Sequence, residues 1–152
     1  FSEMINAEMY NKAIGGEVFA PEVSEHADGF VPDCITVAYG TNDWNGNTEY
    51  NVFKEYSRKF FDNLTRNYPN TPIFAITPIW RKEADEQRAM GSFDNVKKQI
   101  FDIAADYDNI MPICGYDFVP QEEKYFSDRH LHPSDLGFSF YAKNLYDALG
   151  KN

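Results

Sequence analysis

Three short segments of this 152-residue chain bring together residue types that could carry out nucleophilic chemistry. Asp128-Arg129-His130-Leu131-His132-Pro133 sets a carboxylate beside two imidazoles. A carboxylate can orient an imidazole, and an oriented imidazole can take a proton from a hydroxyl. Two of the chain's three histidines lie in this segment. Gly40-Thr41-Asn42-Asp43 offers a carboxamide whose NH₂ can donate to a developing negative charge. Ala13-Ile14-Gly15-Gly16 offers glycines, where the backbone can come close to a ligand and point an N–H at it. Each segment also has an ordinary reading. Gly, Asn and Asp are common turn residues, Asp128 can cap the approach to a helix, and the histidines can be surface residues of a loop.

The elements that must position these residues follow from hydrophobic periodicity. Met4, Ile5 and Met9 precede the glycine pair, which reads as a strand-to-turn junction. Asp33 to Gly40 (DCITVAYG) is a short β-rich apolar run stopped by glycine, the pattern of a central strand buried on both faces. Tyr50 to Tyr68 places Tyr50, Phe53, Tyr56, Phe60, Leu64 and Tyr68 three and four apart, one apolar stripe of a helix that Pro69 ends. Thr71 to Trp80 is a second buried strand, with Pro72 and Pro78 near its ends, where a missing N–H is tolerated. Phe93, Val96, Ile100, Ile103 and Ala104 repeat with helical period, and Asn109 to Ile113 supplies a third strand. Pro133 to Leu149 reads as a final helix with Leu136, Phe140, Leu145 and Leu149 inward. Strands alternating with helices predict an α/β fold with a mainly parallel sheet. Ligand sites in such folds form beyond the carboxyl ends of the strands, where the three segments would converge.

In that order the segments resemble the blocks of SGNH (GDSL-type) hydrolases: NKAIGG is similar to the glycine block, YGTND to the asparagine block and DRHLHPSDLG to the histidine block. The resemblance covers nearly the whole chain. It implies a three-layer α/β/α sandwich of flavodoxin-like type, with residues 1–152 forming one domain that cleaves carboxylic esters, among them acyl or acetyl esters of carbohydrate or lipid. It also implies that Gly16 and Asn42 stabilise the oxyanion, that His132 before Pro133 is the base, that Asp43 supports the site, and that no metal or organic cofactor takes part. The family's histidine block reads Asp-x-x-His-Pro, whereas here Asp128 lies four residues before His132. The orienting group is then Asp128 through a local bulge, or a backbone carbonyl, with His130 as the alternative catalytic histidine. The family's nucleophile lies in a Gly-Asp-Ser motif upstream of the glycine block, and this sequence contains no such motif. Ser2 is too close to Gly16, Ser24 follows the glycine block, and Ser57 falls on the helix after the asparagine block. The expectation is an N-terminal truncation that removed the first strand and the serine.

Composition narrows the alternatives. The 14 Lys and Arg against 24 Asp and Glu give a net charge of −10, which repels nucleic acid. No apolar run approaches the ~20 residues that span a bilayer. A small-molecule ester is the expected partner. Homo-oligomerisation is left open, and localisation is weakly constrained, with the cytoplasm slightly favoured. Cys34 and Cys114 each sit in an apolar run that reads as a buried strand, so both are expected as unpaired, buried thiols. His26 reads as solvated, and Trp80 as a cap on the core or a lining of the cleft. Two other classes share the architecture. One is a non-catalytic small-molecule or carbohydrate-binding module. The other is a flavin or nucleotide binder, against which stands the lack of a phosphate loop after the strands.

Overall fold

The computed structural model describes residues 1–150. The chain divides into two compact units. One gathers Gly16–Pro78 and Glu86–Cys114; the other gathers Phe1–Gly15, Ile79–Asp85 and the segment from Gly115 on.

The first of these units holds a parallel sheet. Strands β1 (Ile35–Val37), β2 (Ile73–Ile76) and β3 (Ile110–Ile113) lie in the order β1-β2-β3, with Ile35 opposite Ile73 and Ile73 opposite Ile110. Parallel neighbours require crossovers. These hold helices α1 (Thr41–Asn45) and α2 (Tyr50–Asn67) between β1 and β2, and α3 (Asp94–Ala104) between β2 and β3. The α/β reading with a parallel sheet is borne out. The central strand is β2, however, and not the 33–40 run. β1 is an edge of this sheet, with Thr36 exposed between half-buried Ile35 and buried Val37, whereas β2 is buried at Ile73, Ala75 and Ile76. β3 is the other edge, which lets it carry Pro112 without losing an interior ladder bond.

Aromatic packing fills this unit. Phe19 is fully buried, and the rings of Tyr39, Phe53, Phe60 and Phe61 surround it at 5.4 to 5.8 Å between centroids, within the range of favourable edge contacts. The inward face of α2 is Phe53, Ser57, Phe60, Phe61 and Leu64; Tyr56, expected in the stripe, is exposed. Phe53, Phe60, Leu64 and Tyr68 of that stripe are buried as expected, and Ser57 turns inward next to Tyr56, its hydroxyl donating to the carbonyl of Phe53. On α3 the expected Val96, Ile100, Ile103 and Ala104 are all buried, as is Phe93 before it.

The other unit is built around α4 (Asp135–Leu149). Ser134 caps it, accepting the N–H of Gly137 at 3.2 Å. Its inward residues include Gly137, Tyr141 and Leu145, four apart, and Leu136 is exposed contrary to expectation. The reason is Gly137: a β-carbon there would stand 2.2 Å from the carbonyl oxygen of Tyr125, so the helix lies against the 125–126 backbone on the face that has no side chain. Edge-on ring contacts of Tyr141 with Phe118 and of Phe140 with Tyr125, and a tilted contact of Trp80 with Phe126, complete the packing. Burial pushes the Tyr141 hydroxyl up to about 12.

No strand precedes the glycine pair among the described residues. A 3₁₀ turn spans Ser2–Ile5, and residues 7–14 carry neither helix nor strand. The expected strand-to-turn junction is thus a turn alone, since the polar residues among Met4, Ile5 and Met9 give no alternating pattern to pair. Both cysteines are free, but neither is buried: Cys34 is half-buried before β1 and Cys114 is exposed just after β3. Both lie at the ends of short strands, outside the part that the helices cover. No described helix is long and apolar enough to cross a membrane.

Candidate active site

Gly16, the last residue of the glycine segment, lies in the same unit as the asparagine segment. Gly40 holds φ of 110°, which L side chains rarely adopt, and a β-carbon on it would stand 2.4 Å from Cγ1 of Val96. Glycine at this position therefore allows the chain to turn out of β1 directly into α1. The turn presents Asn42 and Asp43 in the first turn of α1, where they hold the segment after Gly16. The Asn42 side-chain amide donates to the carbonyl of Glu17 at 2.9 Å. Asp43 Oδ1 accepts the N–H of Phe19 at 3.1 Å. These two bonds hold residues 17 and 19, just after Gly16, to the first turn of α1. Gly16 itself has φ of 79°, with open space where a side chain would go, so its conformation and not crowding selects glycine. One amide hydrogen of Asn42 is committed to Glu17; the NH₂ group carries a second.

Asp43 is 2% exposed, and its Oδ2 has no hydrogen-bond partner among the described residues. Burial penalises the charged form, and the Phe19 N–H, its own N–H and that of Gly40 only partly offset this. The nearby Glu17 carboxylate adds to the upward push, and the group ends at about 6.

The histidine segment lies in the other unit and forms a closed loop. Ser127 N donates to the carbonyl of His132 at 2.7 Å, Ser134 N donates to that of Tyr125 at 2.8 Å, and Phe126 bridges to Pro133. Inside the loop Asp128 organises everything. Its Oδ1 accepts the N–H groups of His130, Leu131 and His132 at 2.9 to 3.1 Å, and its Oδ2 lies 2.5 Å from Nδ1 of His132. Burial pushes the Asp128 carboxyl up. The N–H donors of Leu131 and His130 and the His132 ring outweigh that and hold it well below the usual carboxylate range.

The four-residue spacing is absorbed by Arg129, which adopts φ of 65° and lets the chain turn back over the carboxylate. Of the alternatives left open by the sequence, Asp128 is the group in contact with the His132 ring. A proton on Nδ1 facing Asp128 leaves Nε2 as the ring's lone-pair nitrogen, and the His132 side chain is 73% exposed.

His130 is placed differently. Its ring lies between two carboxylates, Nδ1 at 3.2 Å from Glu83 and Nε2 at 3.3 Å from Asp128. Glu83 in turn meets Nε of Arg81 at 3.2 Å, and the Arg81 side chain is 2% exposed. Burial raises the Glu83 carboxyl, but its own N–H, Arg81 and His130 bring it below its ordinary value. Glu83 escaped sequence reasoning because 47 residues separate it from His130 and the Arg81-Lys82-Glu83 run looks like any charged loop. Trp80 packs on Phe126, which fits the core-capping reading. His26 is exposed as expected.

The serines Ser24, Ser57, Ser127, Ser134 and Ser139 all donate their hydroxyls to main-chain carbonyls. Among the described residues no three His, Cys, Asp or Glu side chains are grouped so as to hold a metal ion.

No family model matches this sequence, and no curated protein does. Solved structures do. A possible lipase from Chitinophaga pinensis matches with a TM-score of 0.74 and 15% identity over 99% of this chain and 86% of its own. A GDSL-like lipase from Bacteroides ovatus matches with a TM-score of 0.68 and 20% identity over 88% of this chain and 40% of its own. A salicylyl-acyltransferase from a tetracycline biosynthetic pathway matches with a TM-score of 0.74 and 16% identity over 88% of this chain. The chain spans 41% of that protein's length. With its parallel sheet and alternating helices, this chain has the α/β fold shared by these GDSL-like and lipase-like structures.

Proposed function

We propose that the chain is the base-bearing and oxyanion-bearing part of an SGNH-type serine esterase. The observation that carries this reading is the Asp128–His132 pair: a carboxylate held by three main-chain N–H groups, 2.5 Å from Nδ1 of a ring whose side chain is 73% exposed. Asp128 fixes the Nδ1–H tautomer, so Nε2 is the basic atom. Nε2 takes the proton of a serine hydroxyl as the serine oxygen bonds to the ester carbonyl carbon, and the carbonyl π electrons move to oxygen. The Gly16 N–H and the second Asn42 amide hydrogen donate to that oxyanion. When the tetrahedral centre collapses, the C–O bond to the alcohol breaks and His132 returns the proton to the leaving oxygen. Water then repeats the sequence on the acyl-serine and releases the acid.

The nucleophile in this reading is a serine outside residues 1–152, because no Gly-Asp-Ser motif stands within them and five of the seven serines donate to the main chain. A second reading, a binding module on the same fold, draws on that same engagement of the serines. Hydrolysis of p-nitrophenyl acetate separates the two. The assay compares this chain with a version extended upstream through the first Gly-Asp-Ser of its gene. Activity confined to the longer version and abolished by replacing that serine is the expected result. An inactive longer version, or a gene with no such motif, favours the binding module.

A further inference from the structure

The Asp128–His132 pair sits on a loop whose main-chain N–H groups all hold Oδ1 of the carboxylate. Oδ2, the oxygen that meets His132, is left to side chains of the loop. His132, 73% exposed, contributes little packing to hold the loop. One residue at the tip reaches outward through both its main chain and its ring. The carbonyl of His130 accepts the N–H of Lys82 at 2.9 Å. Its Nδ1 lies 3.2 Å from Oε1 of Glu83 and its Nε2 3.3 Å from Oδ2 of Asp128, the same oxygen that meets His132. Glu83 is held in turn by Nε of the buried Arg81. A neutral imidazole with its proton on Nδ1 donates to Glu83, and a doubly protonated one donates to both carboxylates, so in these forms the ring ties the loop to Glu83.

We propose that His130 is a positioning residue. By bridging Glu83 and Asp128 it ties the loop to the buried Arg81, and so keeps the Asp128 carboxylate aimed at Nδ1 of His132. The role is distinct from that of His132: His130 touches no reacting atom and acts through Asp128. Along Arg81, Glu83, His130, Asp128 and His132, each carboxylate lies between two nitrogen groups. This inference rests on the esterase reading for its use, but its geometry does not.

The test is long-range ¹H–¹⁵N correlation NMR of the histidine rings of this chain, at a pH where the His132 ring is neutral. Three histidines make the spectrum assignable. In the unaltered chain the His132 ring is expected as the Nδ1–H tautomer. In His130→Ala the ratio of Nδ1–H to Nε2–H forms should fall about fivefold, the equivalent of one ordinary hydrogen bond. His130→Gln, which keeps a donor toward Asp128, should recover part of it. Glu83→Gln leaves His130 in place and weakens its anchor. It should lower the ratio in the same direction, and it decides the matter if His130→Ala does not fold. An Nδ1–H tautomer that stays unchanged in well-folded His130→Ala or Glu83→Gln overturns the positioning role while leaving the Asp128–His132 pair intact. An unaltered chain whose His132 ring is not the Nδ1–H tautomer removes the pair itself, and the esterase reading with it.

Discussion

Replacing Asp43 by Asn changes the pH dependence of stability in a way that follows from one buried oxygen. The Asp43 carboxyl rises from the ordinary 3.8 to about 6 in the folded chain, chiefly through burial, with Oδ2 lacking a hydrogen-bond partner among the described residues. Between those two values the folded state binds the proton more tightly than the unfolded chain does, so stability falls as pH rises. The contribution is fully present below about pH 4 and lost by about pH 7, and a rise of this size corresponds to about 3 kcal/mol. Asn at position 43 keeps an oxygen for the Phe19 N–H but puts an NH₂ where Oδ2 was. That carries a constant penalty of about 1–3 kcal/mol from the unpaired donor. The test is therefore the difference between two curves. Urea unfolding of both chains at half-unit steps from pH 4 to 8 should show the unaltered chain losing about 2–3 kcal/mol more than Asp43→Asn across that range. Curves that run parallel from pH 4 to 8 would show that the Asp43 carboxyl is not raised in the fold, and would refute the burial argument.

Three further outcomes are expected. Asn42→Ala in an active, extended protein should lower kcat by about 100-fold or more, as loss of one oxyanion donor does, and His132→Ala should lower it at least as far; turnover that survives both changes would remove Asn42 and His132 from the mechanism. Gly137→Ala should cost about 3 kcal/mol, because the added carbon meets a main-chain oxygen that cannot step aside cheaply; the melting temperature should drop by about 9 °C in calorimetry. Gly40→Ala should cost about 4 kcal/mol, from backbone strain and the contact with Val96 together, and in a Val96→Ala background the cost should shrink by about 2 kcal/mol, measurable as a double-mutant coupling in chemical unfolding.

Where packing follows period, the sequence is a good guide. All three strands, the long helices and the inward face of α3 follow from apolar spacing, and Gly40 and Asn42 stand where a strand gives way to a helix. What spacing misses is local and three-dimensional. Tyr56 and Leu136 occupy apolar positions of their stripes, yet Ser57 can satisfy its hydroxyl along the helix, and Gly137 turns α4 toward a carbonyl. β1 reads as a central strand because DCITVAYG is a short β-rich apolar run stopped by glycine, which an edge strand also tolerates. Glu83 was invisible, since nothing in a charged run announces that one of its members meets a histidine 47 residues away.

Arg129 has a consequence for how such chains are recognised. Its left-handed turn takes up one residue between Asp128 and His132 without moving the carboxylate off the ring. Loop length and dyad geometry are thereby uncoupled: insertion or deletion at this point rewrites the spelling of the segment and leaves its meaning intact. A pattern written with a fixed Asp-x-x-His interval does not fit Asp128 and His132, which lie four residues apart. Searches for distant members of such folds should let that interval vary by a residue and ask instead for a position that tolerates positive φ between the two.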